Sequence, residues 1–443
     1  MSATLPEIQL AERFFNSLSE HGIAYCILRN AEEVQQGDAH DIDMTVDAKH
    51  LAKAESLLQQ AATDSGWKKH LQTGTATDPT NIKCYHYYLA DEGEQKISIL
   101  HIDIFPTFTW KGYILLDNKA LLQGGDTEGI YRQAAPATEA VCNLFVRLLF
   151  NGYVKDKYKE SIQRTFSAYE GAVMSRMQHF LTAEKAQEIC RHAQQGEWAS
   201  IEQARGSIIR NIRKTAPRKR LGYLFYLLRK AIYRKGAVIA FMGTDGSGKS
   251  TIINGLPQII GNTFSGDTID YYHWRPGFIK PEKKLTTEGT VVSNVQPHTQ
   301  KPYGKLISLL KMGMYVLDYT LGYWLKVRWK AAKGHLVVFD RYYYDFYMDK
   351  IRYRLSVSNS LVRLCQWFIP EPDATFLLIG DAQQIYERKK ELPVEEVQAQ
   401  IDFLKRHKNK FAHPVEVDVS QSIPQVLYSV SKELLQVLHK RNG

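Results

Sequence analysis

Residues 243–250 of this chain, Gly-Thr-Asp-Gly-Ser-Gly-Lys-Ser, have the types and the spacing needed to hold a polyphosphate. They follow the pattern G-x-x-x-x-G-K-[ST], in which glycines allow backbone N–H groups to wrap around phosphate oxygens. The ammonium of Lys249 would reach the terminal phosphates, and the hydroxyl of Ser250 could ligate Mg²⁺. This segment therefore predicts that the protein binds a nucleotide.

Three further groups of charged residues in the second half of the chain could act on a phosphate. Asp340 and Arg341 follow the apolar run 336–339, which predicts a buried strand with both charges at its carboxyl end. Open α/β sheets bind ligands at that end. Arg275 lies in a loop-like segment, and Arg388 lies in a charged helical stretch. Taken singly, such charges are commonly surface ion pairs or solvated helix residues. Their order behind a phosphate loop favours a functional interpretation.

Three carboxylates in the first part of the chain predict a metal site. Asp41 and Asp43 are two residues apart in a short predicted strand, so both lie on one face. Asp103 is the acidic residue of a later, otherwise apolar strand. Two such carboxylates can bind a pair of Mg²⁺ ions while the third helps to activate an attacking oxygen, as nucleotidyl transfer requires. Solvated turn carboxylates are the alternative, although an inward charge on an apolar strand is costly without a metal or partner.

The predicted elements would bring these groups to two sheet edges. In the second half, strands alternate with helices as in a parallel α/β sheet, with strands at 237–242, 336–340 and 374–379 and a helix at 251–260. The first part has predicted helices at 8–18 and 51–62 and predicted strands at 23–28, 42–46, 83–89 and 96–104. Residues 137–204 are predicted to be mostly helical and free of strands.

Residues 236–443 resemble the thymidylate kinase branch of the nucleoside monophosphate kinases. The phosphate loop with Thr251 after it, the Arg-Pro-Gly at 275–277, the strand-terminal Asp-Arg-Tyr at 340–342 and the Glu-Arg-Lys at 387–389 occur in the order of that family. The resemblance implies a P-loop kinase fold, ATP as phosphoryl donor and Mg²⁺ as cofactor.

The resemblance also implies roles for single residues. The ATP-binding residues would be Gly243, Thr244, Asp245, Gly246, Ser247, Gly248, Lys249, Ser250 and Thr251. Asp245 would approach a sugar hydroxyl of the acceptor, and Arg275 would clamp its phosphate. Asp340 and Arg341 would organise metal-bound water and phosphate, while Arg388 would reach the transferring group from a lid. Phosphoryl transfer depends largely on positioning and charge neutralisation, which Lys249, Arg341 and the metal would supply.

The chain departs from this family on the acceptor side. After Asp-Arg-Tyr the family usually has Ser and then Ala-Tyr-Gln, whereas this chain has Tyr-Tyr-Asp-Phe-Tyr at 343–347. His273 and Trp274 precede Arg275, and the Glu of the usual Arg-Glu-Pro is missing. Phosphoryl transfer is therefore better supported than thymidylate as the acceptor.

About residues 10–135 resemble the small nucleotidyltransferase fold through the D-x-D motif, the later strand Asp and the order of elements. This resemblance implies Asp41, Asp43 and Asp103 as metal ligands, with Asp103 also catalytic. The Gly-Ser that grips the triphosphate in that family is absent, and Arg29-Asn30 and Gly37 lie in that region instead. A degenerate transferase or one of different specificity remains an alternative.

Composition bounds the cellular setting and the partners. The 443 residues carry a formal net charge of +10, which favours an anionic partner. No secretory leader, apolar span or C-x-x-C pair is present, so a cytoplasmic protein with five free thiols is expected.

Residues 205–235 are basic and contain no acidic residue. The alternatives for this segment are a linker helix on the kinase domain, an interdomain strap, a nucleic-acid patch and a helix that binds an anionic membrane surface. Core packing is expected for the aromatic helix at 315–329.

The sequence thus predicts an α/β enzyme of two modules. We expect a nucleotidyltransferase-like domain at 1–135, a helical extension at 136–204, a basic linker at 205–235 and a thymidylate kinase-like domain at 236–443. Its expected reaction is phosphorylation of a nucleoside monophosphate or related phosphorylated small molecule. A membrane-proximal kinase of a sugar or lipid-linked glycan intermediate, and a nucleotide-binding regulatory or defence protein, are the rival hypotheses. No nucleic-acid partner is expected, and a homodimer is left open.

Overall fold

The computed structural model of the chain describes residues 5–29, 31–36, 41–73, 82–126, 129–225, 236–261, 263–264, 268–278, 301–350, 352–390 and 392–442. The chain divides into two compact units. The first unit contains residues 1–89, 98–229 and 442–443, and the second contains residues 90–97 and 230–441.

A five-stranded sheet organises the beginning of the first unit. Its strands are β1 (Tyr25–Ile27), β2 (Asp41–Val46), β3 (Lys68–Thr73), β4 (Lys83–Asp91) and β5 (Lys96–Ile104), in the spatial order β1-β2-β5-β4-β3. The helices here are α1 (Pro6–Glu20), α2 (Ala31–Gln35) and α3 (Leu51–Asp64). Helices α1 and α3 bury their apolar faces with β1, β2 and β5 in one core. Strand β2 pairs with β5 in parallel, and this pairing aligns Asp43 with Asp103.

A second core of the first unit is largely helical. A hairpin of β6 (Phe108–Trp110) and β7 (Tyr113–Leu116) and the short helix α4 (Asn118–Leu122) lead into it. The following helices are α5 (Pro136–Phe150), α6 (Asp156–Ala168), α7 (Glu170–Met177), α8 (Ala183–Gln194), α9 (Trp198–Gln203) and α10 (Arg205–Thr215). They pack on one another and on β6 and β7 in a single apolar cluster. The mostly helical stretch predicted at 137–204 is confirmed.

The predicted basic segment begins inside this core. Helix α10 buries Ile208 and Ile212 completely. After it, the Ile114 amide donates to the Pro217 carbonyl at 2.8 Å, and the Arg218 guanidinium lies 4.8 Å above the Tyr113 ring. These contacts make the first part of the segment an integral piece of the first unit. Residues 226–235 lie outside the described residues.

The second unit contains a five-stranded sheet whose pairings are all parallel. Its strands are β8 (Ala237–Met242), β9 (Ile269–Tyr272), β10 (Leu336–Asp340), β11 (Ala374–Ile379) and β12 (Pro414–Asp418), in the order β12-β11-β8-β10-β9. The three inner strands are fully buried and almost wholly apolar, as parallel strands covered on both faces must be. The parallel sheet predicted for this half is confirmed.

Helices surround this sheet and connect its strands. They are α11 (Lys249–Ile260), α12 (Lys305–Gly322), α13 (Arg328–Ala332), α14 (Asp345–Met348), α15 (Asn359–Gln366), α16 (Ala382–Arg388), α17 (Val394–Arg406) and α18 (Ile423–Asn442). A π-helical turn at Tyr323–Val327 joins α12 to α13. None of the helices in the described part of the chain has the length and apolar character needed to cross a membrane.

The aromatic helix predicted at 315–329 divides between core and surface. Tyr315, Tyr319 and Tyr323 are buried, as expected. Trp324 and Trp329 are 59% and 58% exposed, so the expectation of core packing is wrong for them. The three tyrosines recur every four residues and share one face of the helix, whereas Trp324, one residue further on, is rotated by about 100°. Trp329 follows the π-helical turn, which interrupts this periodicity.

Candidate functional site

The phosphate loop leaves the carboxyl end of β8 and runs directly into α11. Gly246 and Gly248 have φ values of +86° and +84°, a left-handed region that glycine enters without strain. The Lys249 ammonium donates to the carbonyls of Gly243 and Thr244 at 3.0 and 2.9 Å. Lys249 is thereby folded back over the loop, where it can transfer its hydrogen bonds to a phosphate.

The loop fits a bound polyphosphate. The hydroxyls of Thr244 and Ser247 are buried and have no hydrogen-bond partner among the described residues, which is costly unless a ligand supplies one. Burial and the neighbouring Arg341 lower the pKa of Lys249 to about 8, so that an anion near its ammonium is favoured electrostatically. Ser250 and Thr251 are exposed at the first turn of α11, where N–H groups attract phosphate.

Helix α16 lies close against the loop at Gly246. A Cβ at this position would lie 2.8 Å from the Ile385 carbonyl oxygen and 3.2 Å from Cβ of Lys389. Only glycine satisfies both the positive φ and this close approach. The loop and α16 are therefore held as one packed piece.

Replacing Gly246 by alanine is expected to lower both stability and ATP affinity. The strained φ and the backbone clash should cost about 1–3 kcal/mol and displace the loop from α16. Isothermal titration with ATP and thermal unfolding measure the two effects. Gly313→Ala is the matched control, because nothing lies within 4 Å of a Cβ there and the site is helical. The control variant should have unchanged or slightly higher stability than the wild type. Equal changes of stability and ATP affinity in the two variants would contradict the prediction.

Asp340 ends β10 in register with Phe241, one residue before the end of β8. Its Oδ2 accepts a hydrogen bond from the Tyr271 hydroxyl at 3.0 Å and lies 3.6 Å from Nδ1 of His273. Its Oδ1 is buried and has no partner among the described residues. Although burial opposes ionisation, the nearby imidazole of His273 and the charge of Lys249 lower the pKa of Asp340. An ionised carboxylate with one unsatisfied oxygen suits a magnesium-bound water.

Arg341 is the centre of a buried ion-pair network. Its guanidinium lies 2.6 Å from Asp245 in the phosphate loop and 3.0 Å from Asp345 on α14. Arg352 pairs with Asp245 as well. Burial opposes ionisation of Asp245, but the two guanidiniums hold the pKa of Asp245 well below its usual value. The network ties the loop to the segment that follows β10.

The Arg341 backbone has a φ of +74°, which is uncommon for a residue with a side chain. Such a conformation costs of the order of 1–2 kcal/mol and persists where surrounding contacts require it. Here those contacts are the ion pairs with Asp245 and Asp345, because they hold the guanidinium at the phosphate loop.

Arg275 lies after β9 and is almost completely buried. Its guanidinium pairs with Asp318 of α12 at 2.5 Å, and Asp318 also accepts hydrogen bonds from the amides of Gly277 and Phe278. Asp318 was not identified from the sequence. An acceptor phosphate at Arg275 would therefore have to share this guanidinium with Asp318.

Tyr342 of the Asp-Arg-Tyr segment and Tyr343, which follows it in place of the usual Ser, have structural contacts. The hydroxyl of Tyr342 donates to the Pro370 carbonyl, and that of Tyr343 donates to the Val362 carbonyl. Trp274 stacks on Tyr353, with ring centroids 4.3 Å apart. These aromatic side chains pack against one another, so Tyr343 and Phe346 of the segment 343–347 contribute to the core.

Arg388 lies at the carboxyl end of α16, where its guanidinium donates to the Val419 carbonyl at 3.1 Å. No described ion pair joins it to the network around Arg341. The structure thus brings Lys249, Asp245, Asp340 and Arg341 together and leaves Arg388 beside them on the surface. Glu391 of the predicted lid lies outside the described residues.

In the first unit, the three predicted carboxylates meet at one edge of the sheet. Oxygens of Asp41, Asp43 and Asp103 all lie within 4.8 Å of one another. Asp43 is buried and forms an ion pair with Arg29, which follows β1. An all-oxygen donor set of this size suits Mg²⁺ or Mn²⁺.

The charges of this cluster are unfavourable without a cation. Burial raises the pKa of Asp43 to about 6, although Arg29 opposes the shift. Burial and the charges of Asp43 and Asp41 raise the pKa of Asp103 to about 8. A divalent cation would remove this repulsion by displacing the bound protons.

In the absence of metal, the first unit is expected to become less stable as the pH rises from about 4 to about 8. Asp43 and Asp103 keep their protons in the folded state up to a pKa of about 6 and about 8, whereas carboxyls of the unfolded chain release theirs near the usual value of about 3.9. The folded state binds more protons across this range, so the free energy of unfolding falls with pH.

Calorimetric unfolding in EDTA and in Mn²⁺ checks this pH dependence. Asp103→Asn should make the fall of stability with rising pH smaller. Mn²⁺ should raise the melting temperature more at about pH 8 than at about pH 5. A wild-type melting temperature that rises with pH in EDTA would contradict it.

A cavity of about 340 Å³ opens beside the three carboxylates. Arg29 and Arg147 contribute guanidiniums to its lining, and Phe105, Phe108 and Phe150 contribute apolar surface. A cavity of this volume can hold a phosphate chain. Arg147 was missed in the sequence, although a lone charge in the apolar run 144–149 was a usable signal.

Comparison with known proteins gives a weak result. No protein-family model and no curated protein sequence matches the chain. Among solved structures the chain is similar to a thymidylate kinase from Ehrlichia chaffeensis, with 18% sequence identity and a TM-score of 0.30, over 45% of this chain and 98% of that one. A likeness this weak assigns no activity, so the residues of the site have to support any function.

Proposed function

We propose that the second unit transfers the terminal phosphoryl group of ATP to a small phosphorylated acceptor, a nucleoside monophosphate or a related compound. The convergence of Lys249, Asp340 and Arg341 around a glycine-rich loop is the observation that carries this proposal. Such a site has the parts that phosphoryl transfer needs: a phosphate cradle, a metal-facing carboxylate and cations beside the transferring group.

Each residue has a defined task in the proposed reaction. The loop amides and Lys249 bind the β- and γ-phosphates, and Asp340 with Ser250 would hold Mg²⁺. Mg²⁺ would neutralise charge on the phosphates. Arg341 stabilises the transferring phosphoryl group while the bond between this group and ADP breaks and the bond between this group and the acceptor oxygen forms. Arg275 binds the acceptor phosphate, and Arg388 closes from α16 to exclude water.

An acceptor screen tests the proposal. The full chain is incubated with labelled ATP, Mg²⁺ and separate panels of nucleoside monophosphates, sugar phosphates and lipid-linked sugars, and products are identified by mass spectrometry. Acceptor-dependent transfer supports a kinase, and the responding panel separates the nucleotide from the glycan hypothesis. ATP binding without transfer to any panel would favour a regulatory nucleotide-binding protein instead.

The carboxylate cluster supports a second candidate function, nucleotidyl transfer by the first unit. Asp41 and Asp43 would bind the metal ions, and Asp103 would also help to deprotonate the attacking hydroxyl. Pyrophosphate release from nucleoside triphosphates tests this activity. Release that persists in an Asp41→Ala/Asp43→Ala variant would overturn it.

A further inference from the structure

The cavity beside the carboxylates has a guanidinium without a counter-ion in contact. Arg29 is committed to Asp43, whereas Arg147 has no ion pair or side-chain hydrogen bond with any described residue, and its Nε is buried. A buried guanidinium nitrogen without an acceptor is costly, and a phosphate oxygen is a preferred partner. The cavity thus contains an anion-binding group in addition to its acidic edge.

Arg147 lies on the last turn of α5, which forms one wall of the cavity. Asn151, four residues further along, lines the same wall and adds amide donors there. The three carboxylates line the same cavity. Donors and carboxylates that line one cavity of this size suit a ligand that is itself an anion and is bridged to the carboxylates by a cation.

We propose that Arg147 binds the phosphate chain of a nucleoside triphosphate that enters this cavity together with a divalent cation. This inference rests on the nucleotidyl-transfer function proposed for the first unit. Three carboxylates and two guanidiniums line the cavity, so at neutral pH it has no net positive charge to attract a polyphosphate. A divalent cation on the carboxylates makes the net charge positive, so that the cavity attracts an anion. Cation and polyphosphate therefore bind with positive coupling.

Coupled binding of Mn²⁺ and tripolyphosphate tests this inference in the full chain. The titrations use a Lys249→Ala variant, in which the phosphate loop of the second unit should bind tripolyphosphate less tightly. Binding that is lost when Asp103→Asn is added to this variant is assigned to the first unit. Tripolyphosphate is expected to tighten Mn²⁺ binding at this site by about tenfold, as measured by titration and by the electron paramagnetic resonance of free Mn²⁺. Arg147→Met should abolish that coupling while Mn²⁺ alone still binds.

Arg164→Met, a change at an exposed arginine on α6, is the matched control and should keep the coupling. Undiminished coupling in Arg147→Met, or equal tripolyphosphate binding with and without Mn²⁺, would overturn the inference and leave the metal site intact. Failure of the first unit to bind Mn²⁺ at all would overturn both. Neither result bears on the kinase proposed for the second unit.

Discussion

Lys249→Ala is expected to reduce phosphoryl transfer from ATP by about 10²–10³-fold, because it removes the cation that meets the terminal phosphates as charge develops on them. ATP affinity should also fall, since the phosphate chain would lose its ion pair with the Lys249 ammonium. Lys249 is buried at the loop, and its pKa of about 8 keeps most of the ammonium charged at neutral pH. Steady-state transfer to the acceptor found in the screen, together with calorimetric ATP titration, measures both effects.

An exposed lysine of the same unit provides the matched control. Lys333, just after α13, lies over the Trp329 ring and far along the chain from the loop. Lys333→Ala should leave transfer and ATP affinity unchanged. If Lys249→Ala retained normal ATP affinity and normal transfer, the assignment of the phosphate loop would be wrong.

Arg341→Met is expected to destabilise the second unit by about 3–5 kcal/mol, because it leaves two carboxylates without their shared counter-ion. Asp345 is completely buried, and Asp245 is partly buried in the loop. The loss should be evident in urea unfolding as a lower midpoint with an unchanged slope. Phosphoryl transfer should fall as well, since the loop loses its link to the end of β10.

Two further variants show whether the effect comes from the ion pairs. Arg341→Met combined with Asp345→Asn should recover part of the lost stability, because one uncompensated charge is removed. Arg363→Met on the exposed face of α15 should change stability by no more than about 0.5 kcal/mol. A double variant less stable than Arg341→Met would indicate that Asp345 acts through other contacts, such as its hydrogen bond from Tyr353.

The residues that sequence reasoning located are those whose positions follow from local patterns. An apolar run before a G-x-x-x-x-G-K-S segment determines a strand, a loop and a helix in that order, and these are β8, the phosphate loop and α11. Asp340 and Arg341 were located for a similar reason, because parallel strands end at the same edge of a sheet. Asp41 and Asp43 share a face because side chains alternate along a strand.

The partners of these residues were decided only by the tertiary structure. Some of these partners lie far away along the chain from the residues that they accompany: Arg352, Asp318 and Arg147. No local periodicity in the sequence indicates such a pairing. The alignment of Asp103 with Asp43 likewise depends on the parallel register of β2 and β5. Sequence patterns thus determined which side chains could do chemistry at each edge, whereas long-range packing decided which charges are compensated there and which remain to bind a ligand.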